Sequence, residues 1–120
     1  MGLSEAEALQ EKILIATDQE AIARADIVKL NKEEIFYIEA LKDYVIIHTP
    51  DARYTIHSTM KDIEAKIGSD EFLRIHRSYI VRIDKIATIE YPNLTLEKVE
   101  KTIPIGGSFR EELYTKINQV

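Results

Sequence analysis

The sequence predicts a mainly β protein of elongated antiparallel sheets, with one short internal helix and one C-terminal helix. Three observations carry this. Short apolar runs with two-residue alternation recur along the chain, as in strands whose successive side chains leave on opposite faces. These runs follow one another directly instead of alternating with helices, which favours hairpins over parallel crossovers. Helical spacing with an N-terminal cap and an apolar stripe appears only after Ser58 and after Ser108.

Taken in order, residues 1–11 read as a leader or linker remnant. Ser4 and Glu7 have capping-box spacing, but the apolar face is thin. Lys12–Ala16 is an apolar run of strand type; residues 17–25 carry no clear pattern; residues 26–30 suit a second strand and 31–33 a turn. Ile35-Phe36-Tyr37-Ile38 is apolar on both faces, so a strand covered on both sides is expected. Ala40-Leu41-Lys42-Asp43 interrupts it. Tyr44–His48 and Arg53–His57 then form a hairpin about Pro50-Asp51-Ala52, with Tyr54 and Ile56 inward. Ser58 or Thr59 caps a helix with Met60, Ile63 and Ile67 on one stripe, and Gly68 ends it. Beyond residue 85, strands are expected at 86–91, 94–96 and 99–105, with a hairpin about Glu97-Lys98. Ser108 and Glu111 form a second capping box, opening a helix striped by Leu113, Ile117 and Val120.

The most informative stretch is Phe72-Leu73-Arg74-Ile75-His76-Arg77-Ser78-Tyr79-Ile80-Val81-Arg82-Ile83. Leu73, Ile75, Tyr79, Val81 and Ile83 occupy alternate positions, while Arg74, His76, Ser78 and Arg82 lie between them. Arg77 breaks the apolar series, so a bend or two short strands are expected near Arg77-Ser78. From 72 to 85 there are four cations, Arg74, Arg77, Arg82 and Lys85, against one acid, Asp84, in a chain of net charge −5. A basic face on an otherwise acidic body suits a polyanion met in one orientation. A solvated strand face carrying charge against edge pairing is the plainer alternative.

The 120 residues suffice for one domain with its own core, and 45% hydrophobic with 31% charged residues is ordinary for a globular chain. Without cysteine there are no disulfides, thiolate metal sites or cysteine nucleophile. No apolar run approaches the ~20 residues of a membrane helix, and residues 1–11 lack the features of a signal peptide, so a cytoplasmic protein is expected. His48, His57 and His76 lack metal-ligand spacing, and no metal or cofactor is expected. Glu39 follows a core-like strand; a bond to backbone or to a basic neighbour explains it better than acid–base work. Ser58, Ser78 and Ser108 lack a nucleophile-elbow context, and Gly106-Gly107 is not a phosphate loop. The expectation is therefore not an enzyme.

The 72–81 stretch resembles the signature of the LytTR DNA-binding domain. Supporting pieces fall in the family's order: Ile35-Phe36-Tyr37-Ile38-Glu39-Ala40-Leu41-Lys42-Asp43-Tyr44-Val45 upstream, the capped helix after Ser58, and Ile103-Pro104-Ile105-Gly106-Gly107-Ser108-Phe109-Arg110 downstream. The resemblance implies a domain over residues 12–120 that binds duplex DNA specifically through sheet loops in the major groove. It would be the output domain of a bacterial two-component regulator. It implies three contact regions: Lys42 to Tyr44, the Arg77-to-Arg82 region, and Gly106 to Arg110. Lys42, Arg74 and Arg77 are expected to hold phosphates, Arg82 to reach a base edge, and Ser108 to offer backbone N–H groups at a helix start. Tyr44, His76, Ser78 and Arg110 complete the expected surface, His76 being equally suited to a structural bond with nearby backbone. Implied partners are paired repeat sites on DNA, an upstream receiver domain, a cognate histidine kinase and a second copy on DNA, with no membrane. Two positions depart from the family: Arg82 replaces a common asparagine, and Gly107 a common arginine. A protein-interaction or ligand-sensing module on the same scaffold is the alternative.

Overall fold

The computed structural model describes residues 12–16 and 27–118. Its strands are β1 (Lys12–Ala16), β2 (Ile27–Asn31), β3 (Tyr37–Leu41), β4 (Tyr44–His48), β5 (Arg53–His57), β6 (Phe72–His76), β7 (Tyr79–Arg82), β8 (Ile86–Glu90), β9 (Asn93–Leu96) and β10 (Ile103–Pro104). Helix α1 spans Met60–Ile67 and α2 Arg110–Asn118. All strand pairings are antiparallel: β1 with β2, a three-stranded sheet β10-β9-β8, and a five-stranded sheet β5-β4-β3-β7-β6.

The five-stranded sheet has a core on each face. On one face Ile38, Val45, Ile47, Ile56, Phe72 and Ile80 meet Met60, Ile63 and Ile67 of α1. On the other, Tyr37, Leu73, Ile75 and Val81 meet Leu94, Leu96 and Ile103 of the smaller sheet and Leu113 of α2. This explains why the 72–83 stretch is apolar at even positions Phe72 and Ile80 as well as at odd ones. A strand covered on both sides loses strict alternation.

Local chemistry sets the boundaries. Thr59, rather than Ser58, caps α1, its hydroxyl accepting the Asp62 N–H at 3.0 Å, and Gly68 ends the helix at φ 81. The break expected at Arg77-Ser78 is a two-residue turn closing the β6–β7 hairpin, with a bulge between Arg74 and His76. Four expectations are corrected. The strand expected at 35–38 runs from Tyr37 to Leu41, because a 3-10 turn at Lys32–Glu34, capped by Asn31, occupies the approach. The interruption after it narrows to Lys42-Asp43, since Ala40 and Leu41 pair with Val45 and Tyr44. Of the strand expected over 99–105 only Ile103–Pro104 pairs; the preceding residues loop after Lys98, at φ 61. The Ser108 capping box does not form. Ser108 lies within a 3-10 turn, Gly107–Phe109, that runs directly into α2. The expectations for residues 1–11, 17–25 and Val120 lie outside the described residues.

Candidate nucleic-acid interface

The sheet register brings the three expected regions to one end of the molecule. Glu39 pairs with Tyr79, and the Ala40 N–H donates to Ser78 O at 2.9 Å. The Lys42-Asp43 and Arg77-Ser78 turns therefore leave the same end of the sheet from adjacent strands, about 4.8 Å apart. The third region is fastened beside them: the Gly106 N–H donates to Ile75 O at 2.8 Å. A Cβ at Gly106 would stand 2.9 Å from the Phe109 ring, which would have to shift, and at an ordinary 3.5 Å from His76 Cα.

Within that cluster Lys42, Tyr44, Arg77, Ser108 and Arg110 are exposed. Lys42 adopts φ 57, a left-handed conformation that costs a side-chain-bearing residue and sets it at the tip of its turn. Tyr44 packs edge-on against His57, ring centroids 5.2 Å apart. The Arg110 guanidinium lies 4.2 Å from the Tyr91 ring centroid and 5.6 Å from that of Tyr114, an aromatic seat for a cation on the surface. Ser108 sits at the open end of its turn, where the first N–H groups of a helical segment lack intrahelical partners.

Other expected site residues have supporting roles. Arg74 is drawn inward: its Nη2 donates to Arg77 O at 2.7 Å, its Nη1 lies 3.8 Å from Glu64, and its guanidinium stands 5.9 Å from the Phe109 ring. It ties the Arg77 turn to the third region. The His76 Nδ1 accepts the Ser78 N–H at 3.0 Å, which places the proton of the neutral ring on Nε2. Burial, then the neighbouring Arg77 and Arg74 charges, lower the basicity of His76. Ser78 thus spends both backbone groups on the turn, its N–H on His76 and its carbonyl on Ala40.

The assignment of Arg82 to a base edge is corrected. Arg82 is 5% exposed, its Nε donates to Asp84 at 2.8 Å, and its Nη1 donates to Glu71 and to Lys32 O, both at 2.9 Å. It stands at the far end of the β6–β7 hairpin from Arg77. Strand alternation marked it as polar, but no sequence pattern said that Glu71, Asp84 and the Lys32 carbonyl would enclose it.

Beside the interface, on the sheet face shared with Tyr79, lies a polar network that sequence reasoning saw only in part. Glu39 accepts from Lys101 Nζ at 3.0 Å and from the Tyr79 hydroxyl at 3.3 Å, and it bonds His48 Nε2 at 2.7 Å. It bonds basic neighbours, as expected, but from the middle of β3. His48 stacks on Tyr37 at 4.1 Å. Burial acts to raise the Glu39 carboxyl, but hydrogen bonds from Lys101 and His48 overcome it, and the net shift is downward. Burial lowers the basicity of His48 against the opposing pull of Glu39. The Tyr79 hydroxyl first, then Glu39, raise the Lys101 ammonium above the ordinary lysine range. A cavity of about 700 Å³ lies at the far end of the hairpin, by Glu71, Arg82 and Ile86, and one of about 510 Å³ lies by Lys42, Tyr44 and Arg74. Among the described residues there is no group of three or more potential metal-ligating side chains, and no helix is long and apolar enough to cross a membrane.

A sheet that presents Lys42 and Arg77 on turns at one end, with no recognition helix among those turns, has the arrangement of a sheet-and-loop nucleic-acid-binding module. The chain belongs to the LytTr DNA-binding domain family, whose sequence profile matches residues 25–118. It is 31% identical over 91 residues to the sensory transduction protein LytT of Bacillus anthracis, covering 72% of this chain and 37% of that protein. Against the heme-containing CO-sensing transcriptional regulator RcoM 2 of Paraburkholderia xenovorans identity is 26% over 95 residues, covering 75% of this chain and 36% of that one. The matched region thus spans little more than a third of these relatives. The fold matches a solved LytTr DNA-binding domain of a putative methyl-accepting/DNA response regulator from Bacillus cereus. The TM-score is 0.71 at 16% identity, covering 87% of this chain and 95% of that one.

Proposed function

We propose that this chain binds duplex DNA sequence-specifically as the output domain of a two-component transcriptional regulator, reading the major groove through turns at one end of its five-stranded sheet. The observation that carries the proposal is the convergence of the Lys42, Arg77 and Gly106–Arg110 regions on a chain of net charge −5. A negative body with one cationic end approaches a polyanion in one orientation.

In this reading Lys42, Arg77 and Arg110 meet phosphates, with Ser108 adding backbone N–H groups. Tyr44 and Ser78 border the groove. Arg74 and His76 position the Arg77 turn. The domain acts as a binder, not a catalyst, in the cytoplasm, behind a receiver domain that answers to a histidine kinase. The LytT relatives are named as sensory transduction proteins, which supports that setting. Paired repeat sites occupied by two copies complete the proposal.

Selection of duplexes from a random pool tests it. The account expects enrichment of one sequence, bound with affinity that falls steeply with salt. Failure of any sequence to enrich overturns it and favours a protein-interaction module.

A further inference from the structure

We infer that Leu41 reads sequence, packing its methyl groups against the 5-methyl group of a thymine in the major groove. The inference rests on the DNA-binding reading above. Leu41 is 56% exposed, the most exposed large hydrophobic side chain among the described residues. A lone exposed leucine needs no explanation in general. Its position is what distinguishes this one.

Glu39 pairs with Tyr79 and the Ala40 N–H bonds Ser78 O, so Leu41, the next residue of β3, lies at the end of the sheet from which the Arg77-Ser78 turn leaves. On its other side Leu41 pairs in register with Tyr44, itself 36% exposed. Lys42 follows it directly, at the tip of the turn. Leu41 is therefore an exposed apolar side chain next to Lys42 in sequence and Tyr44 in register, at the same end of the sheet as the Arg77 turn.

Each neighbour constrains what Leu41 touches. The cations are drawn to the phosphates that wall the groove, which leaves the group between them facing the base edges. The C5-methyl of thymine is the apolar feature those edges present, and aliphatic side chains pack on it. Having neither donor nor acceptor, Leu41 discriminates through that methyl. A protein partner covering Leu41 and Tyr44 would instead desolvate Lys42 and Arg77, at a cost unless it brought its own carboxylates.

The test uses the sequence recovered by selection, resynthesised with each thymine replaced singly by deoxyuridine. This removes the methyl and keeps every hydrogen-bonding group. Wild type is expected to lose about fourfold in affinity at one position per half-site, the value of one buried methyl. Leu41→Ala is expected to bind the thymine and uracil forms of that duplex equally, and Leu41→Met to keep the difference. Equal binding of all substituted duplexes by wild type overturns the inference, as does a uracil penalty that persists in Leu41→Ala, or a recovered site without thymine. Each of those results leaves DNA binding itself standing. If no sequence enriches, the DNA reading fails and this inference with it.

Discussion

Arg77 and Arg82 belong to one β-hairpin and meet opposite fates. Arg77 caps the turn between β6 and β7, exposed, its carbonyl held by Arg74. Arg82 closes the other end, buried, with Glu71, Asp84 and the Lys32 carbonyl around its guanidinium. The alternation of the sequence marks Arg82 as polar and shows Arg77 as a break in the apolar series. What separates them is the third dimension: one faces open solvent, while the other neutralises carboxylates contributed by residues flanking its own strand and β6. The same side chain serves recognition at one end and architecture at the other.

The contrast predicts effects of very different size. Arg82→Ala should be the most damaging change. It takes one of two donors from the Lys32 carbonyl, leaving the Ile35 N–H at 3.1 Å, and removes the guanidinium from the Phe72 ring, 5.6 Å away. Because Glu71 and Asp84 are roughly half exposed and rehydrate, the loss should be about 2–3 kcal/mol. Urea denaturation measures it; a loss below about 0.5 kcal/mol would place Arg82 with ordinary surface residues.

Gly107→Arg restores the arginine common in the resembled family. A Cβ there meets only the Tyr91 hydroxyl, at an ordinary 3.7 Å, so the backbone position accepts a side chain. At low salt the substitution should raise affinity by roughly threefold to tenfold and steepen the salt dependence by about one unit. No change in titration would mean that the third region stands off the DNA.

Lys42 and Lys98 offer a matched pair, at φ 57 and φ 61. Lys42→Gly and Lys98→Gly should each relieve backbone strain and stabilise the fold by up to about 1 kcal/mol. Only Lys42→Gly should weaken DNA binding. Equal effects on binding would show that neither turn is a contact.

The smallest effect expected is a pH dependence. The fold holds His48 and His76 less basic than the ordinary 6.5. The unfolded chain therefore takes up protons that the folded chain refuses, and stability falls as pH drops through about 6.5. Below about 4.5 Glu39 adds a further loss, because its carboxyl is held lower than in the unfolded chain. Denaturation midpoints at pH 7.5 and 5.5 should differ in that direction, and His48→Gln should narrow the gap. Greater stability at pH 5.5 would contradict these shifts.

Much of this was legible from residue order. The 72–83 stretch announced a bend or two short strands about Arg77-Ser78, and they are the two strands of a hairpin, because period-two alternation reports which residues share a face. The α1 stripe of Met60, Ile63 and Ile67 is buried as the helical period requires. The C-terminal segment misled because Ser108 and Glu111 have capping-box spacing, while the docking of Gly106 on β6 imposes a 3-10 turn there. The fate of Arg82 was not legible, since ion pairing joins residues whose approach is set by the finished fold. Nor was the network of Glu39 with Lys101, whose partners lie 62 positions apart in the chain.

The most direct test of the central claim is the salt dependence of DNA binding by Arg77→Ala, measured on the selected duplex beside wild type. The account predicts a fold of unchanged stability and a plot of log affinity against log salt that is shallower by about one unit. A slope equal to that of wild type would remove Arg77 from the DNA and contradict the assignment of this end of the sheet as the interface.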